Sequence, residues 1–66
     1  MKWTARIDDN KVIIEGAGGE ESGAILEVWE SGLVLLFEIP QYGGFTRSDG
    51  TYNSIVEAMK KAESWT

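Results

Sequence analysis

Hydrophobic and polar side chains alternate through the N-terminal part of the chain. Trp3, Ala5 and Ile7 are separated by polar residues, which is the two-residue period of a strand with one buried face. Asp9 and Asn10 follow, and both tolerate the positive φ that a two-residue hairpin turn requires. The turn predicts a second strand whose pairs are Asp8 with Lys11, Ile7 with Val12, Arg6 with Ile13, and Ala5 with Ile14. The predicted apolar face consists of Trp3, Ala5, Ile7, Val12 and Ile14.

Two more strands are predicted over residues 24–30 and 33–39, where β-branched, aromatic and leucine residues predominate. Ser31-Gly32 between them is typical of a two-residue hairpin turn. This turn pairs Glu30 with Leu33, Trp29 with Val34, Val28 with Leu35, Glu27 with Leu36, and Leu26 with Phe37. The core face then holds Leu26, Val28, Leu33, Leu35, Phe37 and Ile39, and the reverse face holds Ile25, Glu27, Trp29, Val34, Leu36 and Glu38.

The segments between these strands have the composition of loops. Residues 16–23 contain four glycines and no large apolar side chain, so they predict a connector. Pro40 ends the strand before it because proline has no backbone N–H for the ladder, and residues 41–44 are rich in turn formers. We expect a short edge strand over residues 45–47, followed by a turn at residues 48–50.

The C-terminal segment predicts a helix. Ser54 and Glu57 fit the capping box, in which the serine oxygen accepts a bond from a free N–H of the first turn. An apolar stripe at helical spacing comprises Ile55, Ala58, Met59, Ala62 and Trp65. The sequence thus predicts one α+β domain over residues 1–66. Its antiparallel β-sheet has three to four strands, a meander of two hairpins, and a single C-terminal α-helix covers one face.

Composition argues against most kinds of catalysis. The 66 residues include no cysteine and no histidine, so the chain has no thiolate nucleophile, imidazole base or Cys- or His-ligated metal. Its serines and threonines therefore have no histidine partner. We expect a protein that is not an enzyme and that uses no cofactor and no metal.

Two short motifs match known sites only in part. Gly18 and Gly23 have the spacing of a phosphate-binding loop, but Ala24-Ile25 stands where that loop needs Lys-Ser/Thr. Asp8-Asp9-Asn10 resembles the start of a calcium loop, which needs glycine at its sixth position and glutamate at its twelfth. This chain has Ile13 and Gly19 there, so a hairpin turn is the better interpretation.

Charge and hydropathy limit the partners and the location. Six basic residues stand against 11 acidic ones, and a net charge of −5 is unsuited to a protein that binds the phosphates of nucleic acid. The N-terminus is too polar for a signal peptide, and the apolar run at residues 33–37 is too short to span a bilayer. We expect a cytoplasmic protein with no membrane contact that does not bind nucleic acid directly.

The reverse face of the predicted sheet is the candidate functional surface. An apolar patch framed by glutamates is typical of an association surface, and tryptophan is enriched at binding hot spots. We therefore predict a protein-binding module that docks on a partner or forms a homodimer. Two alternatives to an exposed patch stay open: the predicted strand register is wrong by one residue, or the N- or C-terminal segment covers the reverse face. The predicted interface consists of Ile13, Ile25, Glu27, Trp29, Val34, Leu36 and Glu38.

A second hypothesis starts from the acidic middle of the chain. Residues 12–46 contain six glutamates and no basic residue. Such a segment suits a decoy whose carboxylates imitate nucleic-acid phosphates and block a basic groove on a host protein. In size, acidity and order of elements, the chain is similar to many small phage-encoded or bacterial accessory proteins, a likeness of format that rests on no motif. The two hypotheses differ in their response to salt, because screening weakens only the decoy.

Overall fold

The computed structural model describes residues 1–18, 22–40 and 45–65. Five strands form one antiparallel sheet in the order β1-β2-β3-β4-β5, a meander, and the helix follows them. The elements are β1 (Lys2–Asp8), β2 (Lys11–Ala17), β3 (Gly23–Trp29), β4 (Val34–Ile39), β5 (Arg47–Tyr52) and α1 (Ile55–Glu63). The predicted α+β class and single C-terminal helix are confirmed, whereas the sheet has one strand more than the predicted upper limit of four.

The first hairpin has the predicted register. Asp8 lies opposite Lys11, and Ala5 lies opposite Ile14. Asp9 adopts a φ of 60°, the positive value expected at the turn. The prediction succeeds because the turn residues and the alternating pattern of both strands demand the same pairing.

The second hairpin is shifted by one residue from the predicted register. Trp29 and Gly32 close a loop of three residues, 30–32: the Trp29 N–H donates to the Leu33 carbonyl, and the Gly32 N–H donates to the Trp29 carbonyl, both at 2.9 Å. Gly32 has a φ of 97°, as expected for a turn that ends in a left-handed residue. Val28 consequently pairs with Val34, so every side chain of β4 points to the face opposite the predicted one.

The left-handed position of Gly32 gives a direct test of this loop. No atom lies within 4 Å of a Cβ added there, so the cost of Gly32→Ala is conformational rather than steric. We expect Gly32→Ala to lower the free energy of unfolding by about 1 kcal/mol, and Gly32→Asn by less, because asparagine tolerates this conformation. Urea denaturation monitored by circular dichroism measures both values. An alanine variant as stable as the wild type would contradict the three-residue loop.

Strand β5 (Arg47–Tyr52) includes most of the segment predicted as a short strand and a turn. Leu36 pairs with Gly50 and Phe37 pairs with Ser48, so Asp49 is an additional residue in a β-bulge. Gly50 has a φ of 118° within this irregularity. The turn-forming composition of residues 48–50 therefore reflects a bulge inside a strand, and the predicted turn at these residues is wrong.

Helix α1 begins as predicted and packs on one face of the sheet. The Ser54 hydroxyl oxygen accepts the Glu57 backbone N–H at 3.1 Å, which caps the first turn. The helix contacts β3, β4 and β5. Ile55 departs from the predicted buried stripe, because its side chain is 37% exposed. The buried cluster between helix and sheet comprises Ala24, Leu26, Val34, Leu36, Ala58 and Ala62.

The N-terminal strand reaches the helix through Trp3. Its indole N–H donates to the Glu63 carboxylate at 2.8 Å, which joins the first strand to the last turn of the helix. Gly16 leaves room for the ring: a Cβ there would lie 2.7 Å from Trp3 Cζ3 and closer still to Met1 Sδ. Trp3 thus packs against the core cluster, in agreement with its predicted position on the core face.

The Trp3–Glu63 hydrogen bond predicts acid sensitivity. This bond, together with the nearby N-terminal ammonium group, lowers the pKa of Glu63 below its usual value of 4.5. A carboxylate with a lowered folded-state pKa contributes stability above its unfolded-state pKa and loses it as the pH falls through the folded-state value. We expect Glu63→Gln to lower the melting temperature more at pH 7 than at pH 3, because protonation of Glu63 at low pH removes the charge that the substitution removes. Equal effects at both pH values would assign the contribution to packing rather than to charge.

Within the described ranges, no helix is long and apolar enough to cross a membrane. The predicted connection over residues 41–44, and Glu20 and Glu21 of the acidic segment, lie outside the described residues.

Candidate protein-interaction surface

The sheet face opposite α1, here called the outer face, has no element of the described chain packed on it. Its members follow from strand alternation, because the neighbouring residues on each strand belong to the core cluster beneath the helix. The large apolar side chains of this face are Ile13, Ile25, Trp29, Leu35, Phe37 and Ile39, and together they form the apolar strip.

The predicted interface falls on both sides of the sheet. Ile13, Ile25, Glu27 and Trp29 lie on the outer face as predicted. The predictions for the three β4 residues are wrong, because the extra loop residue reverses the orientation of that strand. Val34 and Leu36 are 3% and 0% exposed in the core, and Glu38 lies on the helix side opposite Ala24.

The outer face of β4 carries Leu35, Phe37 and Ile39 in place of the three residues that the sequence predicts there. The predicted register places these three side chains in the core. The sequence feature that could have identified these three residues is Gly32. A glycine at the end of a three-residue loop shifts β4 by one residue relative to a two-residue turn. The apolar strip therefore contains more aromatic and aliphatic surface than predicted.

Trp29 is held at one end of the strip by two polar neighbours. Its indole N–H donates to the Glu27 carboxylate at 3.2 Å, and the Lys11 ammonium nitrogen lies 4.7 Å from the ring centroid. Lys11 is the cross-strand partner of Trp29, so the register itself creates this cation–π contact. The ring is half-buried and points to the outer face, which confirms its predicted direction.

The β1–β2 side of the outer face is charged. Arg6 and Glu15 form an ion pair between the two strands, and this pair raises the pKa of Arg6. Ile13 is 5% exposed although no described element covers it, and its cross-strand neighbours are Arg6 and Glu27. Long side chains at such neighbouring positions are able to cover an apolar residue with their methylene groups.

The acidic middle of the sequence is partly neutralised in space. Glu15 pairs with Arg6, and Glu38 accepts a bond from Arg47 at 3.1 Å. Both arginines lie outside residues 12–46 in the sequence, but strand pairing brings them alongside. Glu27 is the acceptor for the Trp29 indole. Three of the four glutamates that the structure describes in this segment therefore have a donor on the same chain.

The polar side chains of the described residues lie near the surface. No charged or polar side chain among them is buried, and no group of three or more acidic residues could hold a metal ion. A depression of about 250 Å³ at one end of the outer face is lined by Lys2, Glu15 and Ile39, among others, and it is open to solvent.

Comparison of the chain with protein-family models, with curated protein sequences and with solved structures gave no significant match.

Proposed function

We propose that this chain is a small, non-enzymatic protein-binding module that docks through its outer face. The apolar strip carries the proposal, because it is a contiguous set of large apolar side chains on a sheet face that no described element covers. A sheet with two apolar faces needs cover on both, and the single helix covers only one.

The surroundings of the strip have the anatomy of a binding surface. β3 and β4 provide an apolar centre, charged residues on β1 and β2 border it on one side, and Ser48 and Thr51 on β5 border it on the other. A dry centre with a polar rim is the usual arrangement in protein interfaces. Trp29 at the edge of the centre is already oriented by Glu27 and Lys11, so binding costs little ordering of that side chain.

The decoy hypothesis is less well supported. A phosphate mimic needs unpaired carboxylates in a row, whereas Glu15 and Glu38 are paired with arginines of the same chain. A basic groove would have to compete with these intramolecular pairs.

Photo-crosslinking tests the proposal even while the partner is unidentified. A photoreactive phenylalanine analogue replaces Phe37 in the apolar strip, and the control carries it at Val56, an exposed position on the helix. In the cells that naturally make the protein, we expect protein adducts from position 37 and few from position 56. Adducts from neither position, or equal adducts from both, would refute docking through the outer face.

Salt separates this proposal from the decoy. Raising the ionic strength of a lysate roughly tenfold, to about 0.5 M, before irradiation shortens the screening length to a few ångströms and weakens exposed charge pairs. An apolar interface keeps its adduct yield or gains, because salts that are excluded from apolar surface favour burial. A yield at position 37 that collapses with salt would favour the decoy.

A further inference from the structure

Among the residues that the structure describes, those on the outer face are electrically balanced, although the chain is strongly acidic. The remainder of the sequence holds three basic and eight acidic residues, so it accounts for the entire net charge of −5. Two outer faces therefore meet without net repulsion. Helix α1 is also balanced, with Glu57 and Glu63 against Lys60 and Lys61, so the apolar strip is what distinguishes the outer face from the helix. The charged residues of the face are Lys2, Arg6, Lys11, Asp8, Glu15 and Glu27.

The arrangement of these charges suits a two-fold contact. In a two-fold dimer each surface meets its own copy, so the face must be complementary to itself. The outer face has acidic and basic groups side by side, as in the Arg6–Glu15 pair, and not separate regions of one sign. When the two-fold axis runs across the strands, the charged β1–β2 side of one copy lies over the same side of the other, where groups of both signs are present.

A basic partner is a poorer match than a second copy. The glutamates that would select it are engaged: Glu15 by Arg6, and Glu27 by the Trp29 indole. Glu38, predicted to frame the interface, lies on the helix side of the sheet. A partner of balanced charge with an apolar centre fits without breaking these contacts.

The size of the face sets the expected strength. Five strands about 4.8 Å apart and six residues long at about 3.3 Å each give a flat area of roughly 500 Å² per copy. Two copies would bury roughly 1,000 Å², at the lower limit of specific interfaces. A dimer of this size is expected to dissociate at about micromolar concentration.

We infer that the partner of the outer face is a second copy of this chain, packed sheet against sheet with the two helices on the outside. This inference rests on the proposed function, since it names the occupant of the same surface. The resulting helix–sheet–sheet–helix sandwich buries the apolar strip of both copies and leaves the acidic remainder of each chain in solvent.

Nuclear magnetic resonance of the wild-type protein tests the inference directly. The Trp29 indole N–H lies on the outer face, whereas the Trp3 indole N–H bonds to Glu63 beside the helix. On dilution from millimolar to low micromolar concentration, we expect the Trp29 indole signal to shift and the Trp3 signal to stay in place. A Trp29 signal that does not respond, or an equal response of both signals, would overturn the inference.

Sedimentation equilibrium of matched variants gives the second measurement. Phe37→Glu places a charge in the apolar strip, and Val56→Glu makes the same change in charge on the helix at a side chain that is 59% exposed. We expect the wild type and Val56→Glu to approach twice the 7.3 kDa of one chain at high concentration. Phe37→Glu is expected to raise the dimer dissociation constant by about 30-fold or more.

The outcomes separate this inference from the proposed function. A wild type that stays monomeric, or a dimer retained by a folded Phe37→Glu, would overturn the dimer. If position 37 nevertheless crosslinks to a different protein, the binding module stands with another partner. If it crosslinks to nothing, both proposals fail. Circular dichroism checks that Phe37→Glu is folded, and the dilution experiment remains decisive if it is not.

Discussion

Replacing Leu36 with asparagine is expected to remove a large part of the free energy of unfolding. The side chain is fully buried between β4 and helix α1, so the variant loses its packing and places an amide where no partner exists. The combined loss is about 4 kcal/mol. A domain of this size has a total stability of only about 3–10 kcal/mol. Thermal and urea denaturation followed by tryptophan fluorescence measure the loss.

Leu35→Asn is the matched control, because it makes the same chemical change one residue away on the opposite face. The Leu35 side chain is half-buried in the apolar strip, where an introduced amide stays in contact with water. We expect a loss of about 1 kcal/mol when the protein is dilute enough to be monomeric. The two-residue turn predicted from the sequence would place Leu35 in the core and Leu36 on the outer face. A larger loss from Leu35→Asn than from Leu36→Asn would therefore support that register and contradict the three-residue loop.

The two hairpins show why part of the fold follows from sequence. Asp9-Asn10 and the alternation around it specify one register, since a slip by one residue would turn Trp3 or Ile14 away from the core cluster. In the second hairpin, residues 33–37 are a continuous apolar run, so either face of β4 looks like a core face. The register then depends on one loop residue, and Ser31-Gly32 is compatible with both loop lengths.

The ambiguity in the register of β4 also affects the prediction of the candidate site. The orientation of β3 follows from its own alternation, so the positions of Ile25 and Trp29 are correctly predicted. The orientation of β4 depends on the loop, so the predicted face of Val34 and Leu36 is wrong. The pairing of Glu38 with Arg47 depends on β5, whose bulge is not apparent from a segment that reads as a turn. Because the observed orientation of β4 moves Glu38 to the helix side, the charge balance of the outer face emerges only from the three-dimensional register.

Gly23→Ala is expected to be the most destabilising glycine substitution in the sheet. A Cβ at Gly23 would lie 2.6 Å from the Gly16 carbonyl oxygen, which belongs to the neighbouring strand. A main-chain atom within a paired strand cannot turn aside, so β2 and β3 must separate locally. We expect a loss of about 2 kcal/mol in the free energy of unfolding, or roughly 10 °C in melting temperature. Differential scanning calorimetry gives both quantities.

Gly16→Ala provides the comparison, because there the added methyl group meets side chains, Met1 and Trp3, instead of backbone. Replacing Trp3 with leucine removes one of these obstacles, so the cost of Gly16→Ala should be smaller in a Trp3→Leu background. The cost of Gly23→Ala should not change when Ile39 is shortened to valine, because the Ile39 Cδ1 atom is at an ordinary contact distance of 3.7 Å. Rescue of Gly23→Ala by Ile39→Val would show that side-chain crowding, and not the β2 backbone, excludes a methyl group at Gly23.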